Sequence, residues 1–268
     1  MATKKQVEPV KDTKKVLKKE TVKVMKKVSG KTVGPKPKFH DLSMETLLEM
    51  GAHFGHQSRR WNPKMEKYLW RNQKGVSVFD LEKTVVAVDK ACEALSKAFK
   101  EEKRIIFLGT KRQAKEAIEK VGAETGVAYV SERWLGGTIT NWEQMSKRIK
   151  RMIKMEEDKA SGAWDKYTKK EQLLMDREVA KLRKMFGGIS KLTNSAEVLF
   201  VVDVRKERTA VREAARKGAL IIGIVDSNAN PDMIDIVIPM NDDSHQAVSA
   251  VIEALGKVLK VNKKPTKS

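Results

Sequence analysis

The chain has a single cysteine, Cys92, so it can build neither an internal disulfide nor a multi-cysteine zinc site. No apolar run approaches the ~20 residues that span a bilayer, and the polar, lysine-laden start has no apolar signal core, so membrane insertion and secretion have no support. Aromatic residues are few, at 6%, and acids are outnumbered, with 35 Asp and Glu against 55 Lys and Arg. The net charge of +20 points to a polyanion as partner, nucleic acid first. Hydrophobic residues at 40% of 268 suffice for a real core, so one or two folded domains are expected in a soluble, intracellular protein.

The charge is unevenly spread. Residues 1–38 hold thirteen lysines, no arginine and three acids (Glu8, Asp12 and Glu20), so half of the net charge sits in a seventh of the chain. This stretch has no aromatic residue and ends in Gly34-Pro35-Lys36-Pro37; it reads as a disordered Lys-rich N-terminal extension. Extended, it would reach roughly 125–135 Å. A solvated tail kept for solubility is the competing reading, and an organelle transit peptide is disfavoured by its lack of Arg and its acids. Residues 39–260 read as the folded domain, and 261–268 as a short basic tail.

Within the body, Ser43 caps a short helix stopped by Gly51, and a loop from Ala52 to Lys64 follows. Short strands are expected at 68–70 and 76–79 around the turn Asn72-Gln73-Lys74-Gly75, then a long amphipathic helix over 81–100. From there strands at 105–108, 127–130, 198–202, 220–225 and 234–238 alternate with helices at 112–125, 208–217 and 244–260. Short apolar strands separated by helices indicate a doubly wound α/β domain with a parallel sheet flanked by helices. Residues 142–186 interrupt this pattern with two helical halves meeting at Ser161-Gly162-Ala163-Trp164-Asp165. Their apolar stripes (Met145, Ile149, Met152, Ile153 and Met155; Leu173, Leu174, Val179, Leu182, Met185 and Phe186) suggest an inserted antiparallel hairpin roughly 30 Å long. Its outer faces are basic, with Lys147, Arg148, Lys150, Arg151 and Lys154 on one helix and Lys181, Arg183 and Lys184 on the other.

Two loops have the chemistry of RNA contact. His53, Phe54, His56, Gln57, Arg59, Arg60, Trp61, Asn62 and Lys64 combine stacking planes with cationic donors. Arg133, Trp134, Gly136, Gly137, Thr138, Thr140 and Asn141 join a guanidinium, an indole, a close-approach glycine pair and hydroxyl or amide donors. A tight turn with Trp134 as core and Asn141 as helix cap is compatible with that reading. Lys111 and Arg112 follow a strand and open a helix whose N-terminus could hold one RNA phosphate, although no phosphate-loop motif is present. His53 and His56 lack nearby carboxylate or thiolate ligands, so no metal and no cofactor is expected. Asp226 to Asp232 reads as a self-capping turn, Asn241-Asp242-Asp243-Ser244 as a helix start, and no catalytic triad is nominated.

Taken in order, several stretches resemble the second ribosomal protein of the bacterial small subunit. They are Gly51-Ala52-His53-Phe54-Gly55-His56-Gln57 with Arg60-Trp61-Asn62-Pro63-Lys64-Met65, Phe107-Leu108-Gly109-Thr110-Lys111-Arg112, Arg133-Trp134-Leu135-Gly136-Gly137 with Thr140-Asn141-Trp142, Thr168-Lys169-Lys170-Glu171, and Asn241-Asp242-Asp243 after Ile238-Pro239. The resemblance covers about residues 42–260. It implies a flavodoxin-like α/β domain with a coiled-coil hairpin, a structural constituent of the small ribosomal subunit in the cytoplasm, and no enzymatic activity. It also implies binding of small-subunit ribosomal RNA near the head–body junction and help in recruiting the first small-subunit protein, which engages messenger RNA. The lysine extension and the basic tail depart from the common pattern. The rival reading is a nucleotide- or sugar-phosphate-binding α/β enzyme using Gly109 to Arg112 and Asp226 to Asp232.

Overall fold

A computed structural model describes residues 38–262. The extension up to residue 37 and the tail from residue 263 lie outside the described residues, as do the expectations placed on them.

A three-stranded antiparallel sheet comes first in the chain: β1 (Phe54–Gln57), β2 (Leu69–Gln73) and β3 (Val76–Phe79), in the order β1-β3-β2. The expected loop at 52–64 therefore contains a strand. Phe54 pairs with Val78 and Gln57 with Val76 across a register shift. Pairing to β3 makes β1, since Phe-Gly-His-Gln has no β-branched residue to announce it. The β2–β3 turn is tighter than expected. Lys74 and Gly75 have φ of 50° and 80°, the left-handed pair that a two-residue hairpin matched to strand twist requires.

Five parallel strands follow: β4 (Ile105–Leu108), β5 (Ala128–Val130), β6 (Val198–Val202), β7 (Leu220–Val225) and β8 (Ile236–Pro239). Their spatial order, β5-β4-β6-β7-β8, is the flavodoxin-like order 2-1-3-4-5 when the parallel strands are counted alone. The helices are α1 (Met44–Glu49), α2 (Leu81–Lys100), α3 (Arg112–Thr125), α4 (Trp142–Ala160), α5 (Lys169–Phe186), α6 (Arg208–Arg216) and α7 (His245–Asn262). The two-residue period of the strands divides the core. On one face Ile105, Phe107, Val198, Phe200 and Ile222 pack with α2, α3 and α7, and the Phe107 and Phe200 rings lie 4.9 Å apart. On the other, Ile106, Leu108, Leu199, Val201 and Ile221 meet Trp134, Ile139, the root of α4 and α6. Burial on both faces explains why these strands are continuously apolar rather than alternating.

The inserted segment folds as α4 and α5, joined through residues 161–168, with Thr168 and Glu171 forming a capping box. Arg151–Glu178 at 2.8 Å, Lys159–Asp176 at 2.5 Å and Arg183–Glu156 at 3.7 Å link the two helices. Met145, Ile149, Met152, Val179 and Phe186 are buried, but Leu173 and Leu174 are 51% and 55% exposed. The expected stripe is thus not covered along its whole length. After α5 the chain returns to the sheet at Gly188, where a Cβ would lie 2.2 Å from the Tyr129 carbonyl oxygen. Only glycine permits that approach.

Candidate nucleic-acid interface

The first candidate loop is strapped to the carboxyl end of β7. The His56 N–H donates to Ser227 Oγ at 2.8 Å and the Asn62 N–H to Ser227 O at 2.7 Å. Asn62 also caps the turn that follows, its Oδ1 accepting from the Lys64 N–H at 3.0 Å. This strapping leaves Gln57, Arg59, Arg60 and Trp61 exposed, with Trp61 37% accessible. Arg59 Nε donates to Gln57 Oε1, and Lys64 pairs with Asp232. Phe54 is half-buried. His53 is a correction: it is 0% exposed, against the Phe54 ring at 3.9 Å, and presents no surface to a partner.

Lys111 and His56 converge on carboxylates from distant parts of the chain. Lys111 Nζ lies 2.7 Å from Asp242 Oδ1, 2.6 Å from Asp243 Oδ1 and 3.8 Å from Asp203 Oδ2. Burial works against its charge, yet the hydrogen bonds to Asp242 and Asp243 prevail and raise its pKa above the ordinary lysine value. His56 Nδ1 is 3.0 Å from Asp226 Oδ2, and that bond, set against burial, raises the imidazole pKa. His56, Lys111, Asp203 and Asp242, together with Arg205, Lys206 and Asn228, line a cleft of about 360 Å³ at the carboxyl end of the sheet, where flavodoxin-like folds place ligands. The ammonium expected to meet a phosphate is therefore held by aspartates, while Arg112 beside it is exposed.

The Arg133 to Asn141 loop is built around one buried side chain that sequence reasoning missed. Glu213, from α6, accepts at Oε1 from Trp134 Nε1 (3.2 Å) and the Gly137 N–H (2.8 Å). At Oε2 it accepts from the N–H groups of Ile139 (3.1 Å) and Thr140 (3.4 Å) and from Thr140 Oγ1 (3.3 Å). Gly137 supplies the φ of 93° that lets the backbone wrap the carboxylate. The donors expected to face RNA thus turn inward. Trp134 and Thr138 are buried, which corrects their expected exposure, whereas Arg133, Gly136 and Asn141 remain at the surface. Asn141 occupies the cap position of α4 without a side-chain capping bond, so its amide does not do the expected work.

On α4, Arg148, Lys150 and Lys154 are exposed, and no ion-pair partner is found for them among the described residues, whereas Arg151 is paired with Glu178.

The acids have faint signals in the sequence. Asp203, Asp226 and Asp242 each follow the carboxyl end of a parallel strand, and Glu213 stands among the buried Ala210, Val211 and Ala214 of α6. A lone acid on an apolar helix face needs a partner.

Fold and surface together define a flavodoxin-like α/β protein with an inserted helical pair and a strongly basic composition. Residues 47–261 match the family model described as Ribosomal protein S2. The chain belongs to the small-subunit ribosomal protein S2 family, and as a member it is a structural ribosomal protein rather than an enzyme. Among the described residues no helix is long and apolar enough to cross a membrane.

Proposed function

We propose that the chain binds small-subunit ribosomal RNA near the head–body junction, in the cytoplasm, through two clusters of exposed cations. One is the Gln57 to Trp61 surface with Arg59 and Arg60; the other runs from Arg112 and Arg133 to the α4 face of Arg148, Lys150 and Lys154. The observation that carries this reading is the absence of carboxylate partners for Arg60, Arg112, Arg133, Arg148, Lys150 and Lys154 among the described residues, although the body is rich in ion pairs elsewhere. Unpaired surface cations release counterions when they meet phosphates, which drives binding to a nucleic-acid backbone. Trp61 adds a stacking plane for an unpaired base.

Residues 39–260 form the RNA-bound body in this reading, with 142–186 as a projecting coiled-coil hairpin and residues 1–38 as a second, lysine-only contact. Recruitment of the first small-subunit protein, which engages messenger RNA, belongs to the same proposal. The enzyme alternative gains nothing from Gly109 to Arg112, because Lys111 is occupied by aspartates. Sedimenting a cell lysate on a sucrose gradient in moderate salt tests the proposal. A stoichiometric band with the small subunit supports it, and a peak only among free proteins overturns it.

A further inference from the structure

Helix α6 and the turn that leads into it present cations, and no acid, to solvent. Arg205, Lys206, Arg208, Arg212, Arg216 and Lys217 are all exposed. The two acids of the segment, Glu207 and Glu213, are only 6% and 7% exposed and are engaged inward, Glu207 by the Thr110 hydroxyl and Glu213 by the Trp134 loop. None of the six cations has an ion-pair partner among the described residues, although Lys206 Nζ donates to the Thr110 carbonyl at 3.1 Å. Helix α3 is built differently. Its three cations, Arg112, Lys115 and Lys120, are matched by Glu116, Glu119 and Glu124, and Lys115 and Lys120 also pair with Glu132 and Glu253.

The arginines of α6 do not stabilise the helix that carries them. Arg208, Arg212 and Arg216 recur every four residues, so they form a row along one side, rising about 6 Å from each to the next. Like charges at that spacing repel, and Arg208 lies in a first turn that has no acid, against the helix dipole. The apolar side, with Ala210, Val211 and Ala214, is buried on the sheet, which leaves the row facing away from the body. Guanidinium forks match phosphate oxygens in pairs. Residues 205–217 include no aromatic side chain on which an unstacked base could lie, the usual means of holding single-stranded RNA. A rigid, evenly spaced row suits instead the regular phosphates of an RNA duplex, which is recognised by shape and backbone. No large apolar side chain of α6 is exposed, so the insertion that holds a helix on a lipid surface is missing.

We propose that the row of Arg208, Arg212 and Arg216, extended by Arg205 and Lys217, binds the phosphate backbone of a double-helical stretch of RNA. This rests on the RNA reading above, yet none of its residues belongs to the clusters named there, and it specifies the form of RNA engaged. Glu213 ties the two surfaces together: the nine-residue helix that displays the row also holds the loop bearing Arg133.

The test uses the full chain and a short RNA duplex of mixed sequence, in filter binding across a salt series. Arg208→Gln, Arg212→Gln and Arg216→Gln combined change exposed positions only and leave the apolar side of α6 intact. Duplex affinity should fall about tenfold or more at about 0.1 M salt, and the slope of log K against log salt should shallow by roughly 2 to 3. Lys90→Gln, Lys97→Gln and Lys100→Gln, exposed on α2, make the same change in net charge and should cost only about twofold, since distant surface charges are screened. Equal losses in the two variants, or unchanged duplex affinity in the α6 variant, would overturn the proposal, as would an equal loss on single-stranded polyuridylate of the same length. An α6 variant that loses polyglutamate but keeps the duplex would assign the row to an acidic protein and overturn it as well. Arg148→Ala, Lys150→Ala and Lys154→Ala combined keep the two claims apart. If that variant alone weakens RNA binding, the α6 proposal fails and the wider RNA reading stands; if neither variant does, both fail.

Discussion

Glu213 Oε1 accepts the indole N–H of Trp134 at 3.2 Å, and the same carboxylate gathers four further donors from Gly137, Ile139 and Thr140. One side chain of α6 thus organises a loop 73 to 79 residues earlier in the sequence, and that loop opens α4. The conformation that leaves Arg133 outside depends on a buried acid of another helix.

Replacing this acid tests that dependence. Glu213→Ala strands several buried donors at once and should lower stability by on the order of 3 kcal/mol. Urea unfolding measures it, and Glu213→Gln, which keeps an acceptor oxygen, should fall between. A loss below about 0.5 kcal/mol, the scale of ordinary surface changes, would contradict the role.

His40 gives the body a sensitivity to acid. Burial holds its imidazole below the ordinary value despite the opposing charge of Asp89, and its Nδ1 accepts the Leu42 N–H at 3.0 Å. The folded state therefore prefers the neutral ring, while the unfolded chain takes up a proton near pH 6.5. Stability from this residue is complete above that pH, declines as pH falls from there, and levels off once the folded ring itself is protonated. Denaturant curves at pH 7.5 and 5.5 should show a smaller acid loss for His40→Asn, whose amide oxygen can accept from Leu42. Equal losses would rule the residue out.

The α4 cations that have no ion-pair partner among the described residues allow a quantitative test. Arg148→Ala, Lys150→Ala and Lys154→Ala combined should leave folding unchanged and weaken binding to small-subunit RNA. The slope of log K against log salt should shallow by roughly 2 to 3. Filter binding across a salt series gives that slope, and an unaltered slope would place the RNA elsewhere.

Deleting residues 2–38 removes thirteen lysines and three acids. Association with the subunit should weaken and its salt dependence should flatten. Unchanged binding at every salt concentration would make the segment a solubility tail.

Sequence periodicity located the parallel strands because each is a short apolar run: β4, β6 and β7 fall where expected, and β8 starts two residues later than expected. Local pattern could not locate β1, which exists through pairing with β3, nor show that Leu173 and Leu174 remain exposed. The surface half of the candidate interface, with Arg60, Trp61, Arg133 and the α4 cations, was legible because exposed charge is a local property. The fates of His53, His56, Lys111 and Trp134 were not. Each depends on tertiary neighbours, and for His56, Lys111 and Trp134 the deciding acids lie 79 to 187 residues away, at Asp226, Asp242, Asp243 and Glu213.

Ultraviolet cross-linking of assembled small subunits, followed by mass spectrometry of nucleotide-bearing peptides, addresses RNA binding most directly. Adducts should fall on peptides containing Arg60 and Trp61, Arg133, and Arg148 to Lys154, each joined to small-subunit RNA. Adducts confined to the outer surfaces of α2 and α7, or none on this chain in intact subunits, would contradict the proposed interface.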